Sequence, residues 1–209
     1  MGLFSFAKSA LPHATDKVWK TNQACMKGIA TEALLCMKKS ELAFVVTLFE
    51  ESHKSLVNYF DSLKVPFQVV NRLDEVEELH KENKVAVLNA DTPGIFGNRT
   101  GQQTKTSIFI FGRNPALKIE NGIIEILSAY FPNAMISFCL SLDQPLFKFF
   151  GADHIISLMG TLGMKEEEYI EHAMVSKAIS RALEKVNKAL VTEIKTYSEQ
   201  EWFAINGEK

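Results

Sequence analysis

Residues 136–186 read ISFCLSLDQPLFKFFGADHIISLMGTLGMKEEEYIEHAMVSKAISRALEKV, and the fold is decided by how this stretch is read. It opens on an apolar run that predicts a strand over 134–142. A tight turn follows around Asp143 and Pro145. Two short helices come next, then a long one in which apolar residues recur at helical spacing. A strand handed directly to helices is the closing unit of an alternating α/β arrangement.

The same alternation extends toward the N-terminus. Val18, Ala24, Cys25, Ile29, Ala33 and Cys36 share a face, which predicts a helix over 15–39. The run AFVVTLF at 43–49 is β-branched and aromatic throughout, as expected of a strand buried on both faces. Helical spacing returns over 50–63, a strand is predicted at 66–70, and an acidic helix at 73–81. Strands at 85–88 and 108–111 and a helix at 119–130 complete the series. The fold class is therefore α/β, with a mostly parallel sheet of about five strands flanked by helices. Beyond it, Val175, Ile179, Ala182, Val186, Ala189 and Ile194 predict one long helix over 174–197. Three segments are expected: a helical 1–40, an α/β domain over 41–150 and a helical extension over 151–209.

Composition narrows the function classes. The 209 residues suit one sizeable core with a helical appendage. A net charge of −2 gives no electrostatic reason to expect nucleic acid or an anionic membrane. Cys25, Cys36 and Cys139 are too few and too scattered for a disulfide framework, and no Cys/His spacing suits zinc. They read as reduced thiols in a cytoplasmic protein. The opening residues MGLFSF lack the basic region and apolar length of a signal peptide, and no apolar run is long enough to span a bilayer. Leu3, Phe4 and Phe6 suit either docking on the chain's own core or a peripheral contact with lipid.

As a string, residues 136–186 resemble the end of the second motor domain of SecA, the ATPase of bacterial preprotein translocation, where it enters the helical scaffold. The resemblance is nearly gap-free. It runs through SLD-x-PL at Ser141–Leu146, FFG at Phe149–Gly151, LGM at Leu162–Met164 and IEH at Ile170–His172. It implies a helicase-like second motor domain over 41–150 and the start of the scaffold after it. In that frame Thr47 ends the opening strand and Asn71 follows the second. Asp143 matches an acidic position of the turn, where it would cap the backbone. The block after the turn would be a structural junction with Phe150 and Leu158 buried.

The same resemblance carries a catalytic test. The family places a Gly- and Arg-rich loop after the strand at 85–88, and arginines that reach the γ-phosphate before the last strand. Here the loop reads NADTPGIFG, with Arg99 its first arginine, and residues 121–133 hold neither Arg nor Lys. Cations at those places stabilise the transferring phosphoryl group. The polar run TGQQTKT at 100–106 imitates a phosphate loop. However, Thr104 stands where glycine must precede Lys105, and a strand follows instead of a helix. No cofactor and no catalytic residue are expected, and the chain reads as not an enzyme.

The remaining constellations are weak. Glu166, Glu167, Glu168, Glu171 and His172 could suggest a metal, but glutamates at a helix start complement the helix dipole. His53, His80 and His154 stand alone. In α/β sheets ligands meet the carboxyl ends of strands, which makes Thr47, Asn71, Asn89 and Arg113 the candidates for a small nucleotide-binding protein or enzyme. That nucleotide-binding reading is the alternative; the favoured one is a non-catalytic SecA-related adaptor that binds a protein partner, with a link to protein export. Trp202 and Phe203, an aromatic pair near the C-terminus, are its candidate anchors.

Overall fold

A computed structural model describes residues 15–92 and 105–207. Six parallel strands form one sheet in the order β1-β6-β5-β2-β4-β3. They are β1 (Thr15–Trp19), β2 (Leu42–Thr47), β3 (Phe67–Val70), β4 (Val85–Asn89), β5 (Thr106–Phe111) and β6 (Met135–Ser141). The helices are α1 (Asn22–Lys38), α2 (Glu50–Ser62), α3 (Val76–Lys81), α4 (Leu117–Tyr130), α5 (Pro145–Phe150), α6 (Asp153–Thr161), α7 (Ala173–Ala189) and α8 (Glu199–Asn206). The α/β expectation holds, with every strand pair parallel.

Period-two alternation sorts the central strands between two cores. Leu42, Phe44 and Val46 of β2 join Ile108 and Ile110 of β5 against α4, α7 and α8. Ala43 and Val45 join Phe109 and Phe111 on the opposite face, under Ile29 of α1 and Leu56 and Phe60 of α2. All six residues of β2 are buried, which is why its run lacks any polar alternation.

Two predicted helices are corrected. The expected helix over 15–39 begins only at Asn22, because residues 15–19 form the edge strand β1, parallel to β6. Val18 and Trp19 fit a helical period and a strand period equally well. The decision falls to Thr21, whose hydroxyl accepts the Ala24 N–H (3.1 Å) and caps α1 behind the strand. Within the expected helix over 174–197, α7 stops at Ala189, and Leu190 is already extended. Ser198 then caps the separate helix α8 by accepting the Glu201 N–H (3.1 Å).

That second break decides where the aromatic pair goes. Trp202 is 1% exposed and Phe203 6%, their rings edge to face at 5.3 Å. The indole Nε1–H donates to Glu193 Oε1 at 2.8 Å. The expectation that Trp202 and Phe203 face a partner is corrected: folding α8 back onto α5 buries both in the chain's own core.

The SLD turn is a tie across the molecule. Asp143 Oδ2 accepts the Asn22 N–H at the start of α1 (2.8 Å), and Ser141 Oγ donates to Asn22 Oδ1 (2.6 Å). Asp143 thus caps α1 rather than its own turn. Beyond Pro145, Leu146, Phe147, Ile155 and Met159 are buried, while Leu158 is half-buried against the core. The Phe150 side chain, Leu3, Phe4, Phe6 and positions 93–104 of the polar loop lie outside the described residues.

Gly28 on α1 lies against the Trp19 indole. A Cβ there would fall 2.6 Å from Trp19 Cε2. Alanine gains about 0.5–1 kcal/mol of helix propensity, but pushing a buried tryptophan costs about 1–3 kcal/mol, so the clash wins. Gly28→Ala is expected to lower stability in a denaturant melt; a more stable variant would show that this contact is loose.

Candidate functional site

In a doubly wound sheet a crevice opens where the helices after neighbouring strands leave on opposite faces. Here that happens between β2 and β5, since α2 packs on one face and α4 on the other. The carboxyl ends of β2, β4 and β5 bring Thr47, Asn89 and Phe111 into register.

Of the four candidate residues, only Thr47 and Asn89 are brought together. Thr47 is fully buried; its Oγ1 lies 3.3 Å from the Leu88 carbonyl and 3.0 Å from His53 Nδ1. If the hydroxyl donates to Leu88, Nδ1 must carry the imidazole proton. Burial lowers the His53 pKa and keeps the ring neutral. Asn89 Nδ2 donates to Glu50 Oε2 (2.7 Å), and its Oδ1 accepts the Asp91 N–H (3.1 Å). Both side chains are spent on holding the start of α2. Asn71, after the edge strand β3, is exposed.

Arg113 is largely covered, its side chain 10% exposed, and it is held by two carboxylates. Its Nε and Nη2 donate to the two oxygens of Glu120 (2.8 and 2.6 Å), and Nη1 donates to Asp16 Oδ1 (2.6 Å). The guanidinium also stacks 3.9 Å from the Phe138 ring centre. One cation therefore holds two buried carboxylates and fastens β1 to the β5–α4 connection. Its side-on donor pair, Nε and Nη2, is taken by Glu120.

The mouth of the crevice is acidic and covered by the chain itself. A cavity of about 270 Å³ is lined by Asn22, Glu51, Ser52, Phe111, Gln144 and Glu199, among others. Phe49 gives α2 no side-chain cap, and the Glu51 N–H donates instead to the Tyr197 carbonyl (3.2 Å). The amide end of a helix at such a crevice is where a phosphate would sit. Here the segment between α7 and α8 occupies it. Next to it, a cavity of about 410 Å³ is bordered by Glu50, Asn89, Asp91 and Lys195, with Lys195 3.3 Å from Asp91.

Glu199 closes the arrangement. It is buried, and its Oε1 accepts the Leu146 N–H at the start of α5 (3.1 Å). Burial pushes its carboxyl up to about 8, outweighing the Leu146 hydrogen bond, and nearby Glu51 pushes the same way. Sequence reasoning passed over this residue. The available signal was the Ser198-x-x-Glu201 pattern, which marks a new helix start and so carries Glu199 back to the sheet.

Other proposed sites resolve into caps. His172 Nδ1 accepts the Met174 N–H (3.2 Å), and Glu168 Oε2 accepts the Lys165 N–H (2.8 Å). Among the described residues no cluster of three or more His, Cys, Asp or Glu suits a metal. Lys105, from the polar loop, pairs at the surface with Glu41 (2.6 Å). None of the described helices is long and apolar enough to cross a membrane.

Two outcomes follow. Arg113→Met leaves Asp16 and Glu120 buried without a counter-charge, and is expected to cost about 3–5 kcal/mol in chemical denaturation. A shift under 1 kcal/mol would mean that water reaches the pair. Glu199 favours its neutral form in the fold, since its pKa rises from 4.5 to about 8. Its stabilising effect is therefore complete below pH 4.5 and is lost as pH rises toward 8. Glu199→Gln should melt with the wild type at pH 5 and exceed it at pH 8.5, by on the order of 3 kcal/mol. Parallel curves across that range would place the charge in water.

No family model matches the chain. It is similar to the protein translocase subunit SecA of Halothermothrix orenii, with 27% identity over 82% of this chain and 21% of that protein. The SecA of Maridesulfovibrio salexigens is 28% identical over 82% of this chain and 22% of its own length. The SecA of Clostridium kluyveri gives the same figures, 28%, 82% and 22%. The chain thus spans about a fifth of the length of the curated relatives it matches, and it is SecA-related over that span.

Proposed function

We propose that this SecA-related chain is a non-hydrolysing interaction protein with a role linked to protein export. The observation that carries the reading is the state of the carboxyl-end crevice. Glu50 and Glu51 stand at the start of α2 there, and the Tyr197 carbonyl takes the α2 amide that a phosphate would need. A nucleotide brings negative charge of its own. Carboxylates beside it raise the cost of binding, and they offer nothing to the charge that develops in phosphoryl transfer. Lys195 borders this region but is paired with Asp91, and Arg113 is held between Asp16 and Glu120.

The export link comes from the relatives, each named as a subunit of the protein translocase. A complete sheet whose crevice is occupied by the chain's own backbone suits a protein that acts by contact. A small nucleotide binder using Thr47, Asn71, Asn89 and Arg113 is less well supported, because three of the four are consumed by internal bonds and the fourth stands at the far edge.

With magnesium and ATP, phosphate release by the purified chain is expected to stay at the no-protein baseline. Turnover above baseline that disappears in Lys105→Ala would overturn the non-hydrolysing reading. Titrated into a SecA reaction on preprotein, the chain should change transport or SecA turnover. No change at a large stoichiometric excess would remove the export link.

A further inference from the structure

The two helices beyond the SLD turn leave a groove that the chain does not fill. Val175 and Ile179 of α7 and Ile155 of α6 are buried and form its floor. Two adjoining cavities, of about 370 and 250 Å³, both include Ile155, Ala178 and Arg181, so they make one continuous trough. It follows α7 from Met174 to Lys185, about 17 Å or three helical turns at 1.5 Å per residue. Met174, 64% exposed, stands at one end of it.

Charge is distributed unevenly along the trough. Lys177, Arg181 and Lys185 recur at every fourth position and line it, all exposed. Among the described residues none of the three has a carboxylate within ion-pair distance. Glu184 is the single acidic residue of α7, and His154 stands on the α6 side. The trough therefore has an apolar floor and a row of cations along one wall.

We propose that the α6–α7 groove docks an acidic amphipathic helix of a protein partner. A helix satisfies its own backbone hydrogen bonds and can enter an apolar trough without orphaned amides, which an extended segment cannot do. Its apolar stripe at i, i+4 and i+7 meets Ile155, Ala178 and Ile179. Carboxylates beside the stripe meet Lys177, Arg181 and Lys185. Such rim pairs set orientation and encounter rate more than affinity, so the apolar floor supplies most of the binding. An anionic bilayer would also attract the cations, but a flat surface cannot follow a concave floor. The chain's own residues 1–14 carry Lys8 and no carboxylate, the wrong sign for this wall. The proposal deepens the contact reading above and rests on it only in taking the chain to act by binding.

Fluorescence anisotropy of the full chain with a labelled 14-residue helical peptide tests it. The peptide carries Leu at i, i+4 and i+7 with Glu on both flanks. A scrambled peptide of equal charge and vesicles containing phosphatidylglycerol are run in parallel. The ordered peptide is expected to bind at least tenfold tighter than the scrambled one. Lys177→Glu/Arg181→Glu/Lys185→Glu, all at the surface, should weaken it at least tenfold. Ala178→Trp, which fills the shared part of the trough, should abolish it while the melting temperature holds. Equal binding of the scrambled peptide, or binding retained in Ala178→Trp, would overturn the proposal. So would vesicle binding that the charge reversal removes while the peptide fails to bind, or peptide binding seen only after Leu3→Ser/Phe4→Ser/Phe6→Ser. No export component is present, so an unaffected SecA reaction beside intact peptide binding would defeat the export link alone.

Discussion

Six consecutive residues without access to water, Leu42–Thr47, constrain everything built around them. A strand in that position must have both backbone edges paired and both side-chain faces covered. β4 and β5 pair the edges, with Thr47 opposite Asn89 on one side and Phe111 on the other. Parallel neighbours demand crossovers, and the crossover helices are what cover the faces. The crevice between β2 and β5 is thus a by-product of burying β2, and it exists whether or not a ligand is ever bound there.

What fills that crevice separates this chain from the geometry it shares with nucleotide-binding sheets. The cation closest in sequence to the end of β5, Arg113, has been turned inward to hold β1 in place through Asp16. The mouth of the crevice is met by glutamates from two places in the chain and by a backbone carbonyl from the loop after α7. Electrostatics and topology therefore differ at this site: the sheet forms a crevice at its carboxyl end, and Glu50 and Glu51 stand at the start of the helix beside it.

Much of the sheet was legible because its strands are short β-branched runs flanked by helical spacing, as AFVVTLF and TSIFIF show. β1 was not, since Val18 and Trp19 satisfy both periods and only pairing with β6 separates them. α8 was legible in principle through Ser198 and Glu201, but the preceding stripe through Ile194 concealed the break at Leu190. Trp202 near the end of the chain carries no local mark of burial; its place depends on a loop that returns to α5. The acidic crevice was out of reach for a different reason. Glu51 and Glu199 are far apart in the chain, and nothing short of the fold makes them neighbours.

The tie between the first and last strands has a cost in time. Thr15 pairs with Ser137, 122 positions along the chain, and Asn22 waits for Asp143 to cap α1. Closing a loop of that length is entropically late, and sheets rich in such pairings fold slowly. On a ribosome adding about 5–20 residues per second, β1 would emerge roughly 6–25 s before the strand it needs. Through that interval Val18 and Trp19 would be apolar and unpaired, so the segment that ends up at the edge of the sheet is also the one most in need of protection during synthesis.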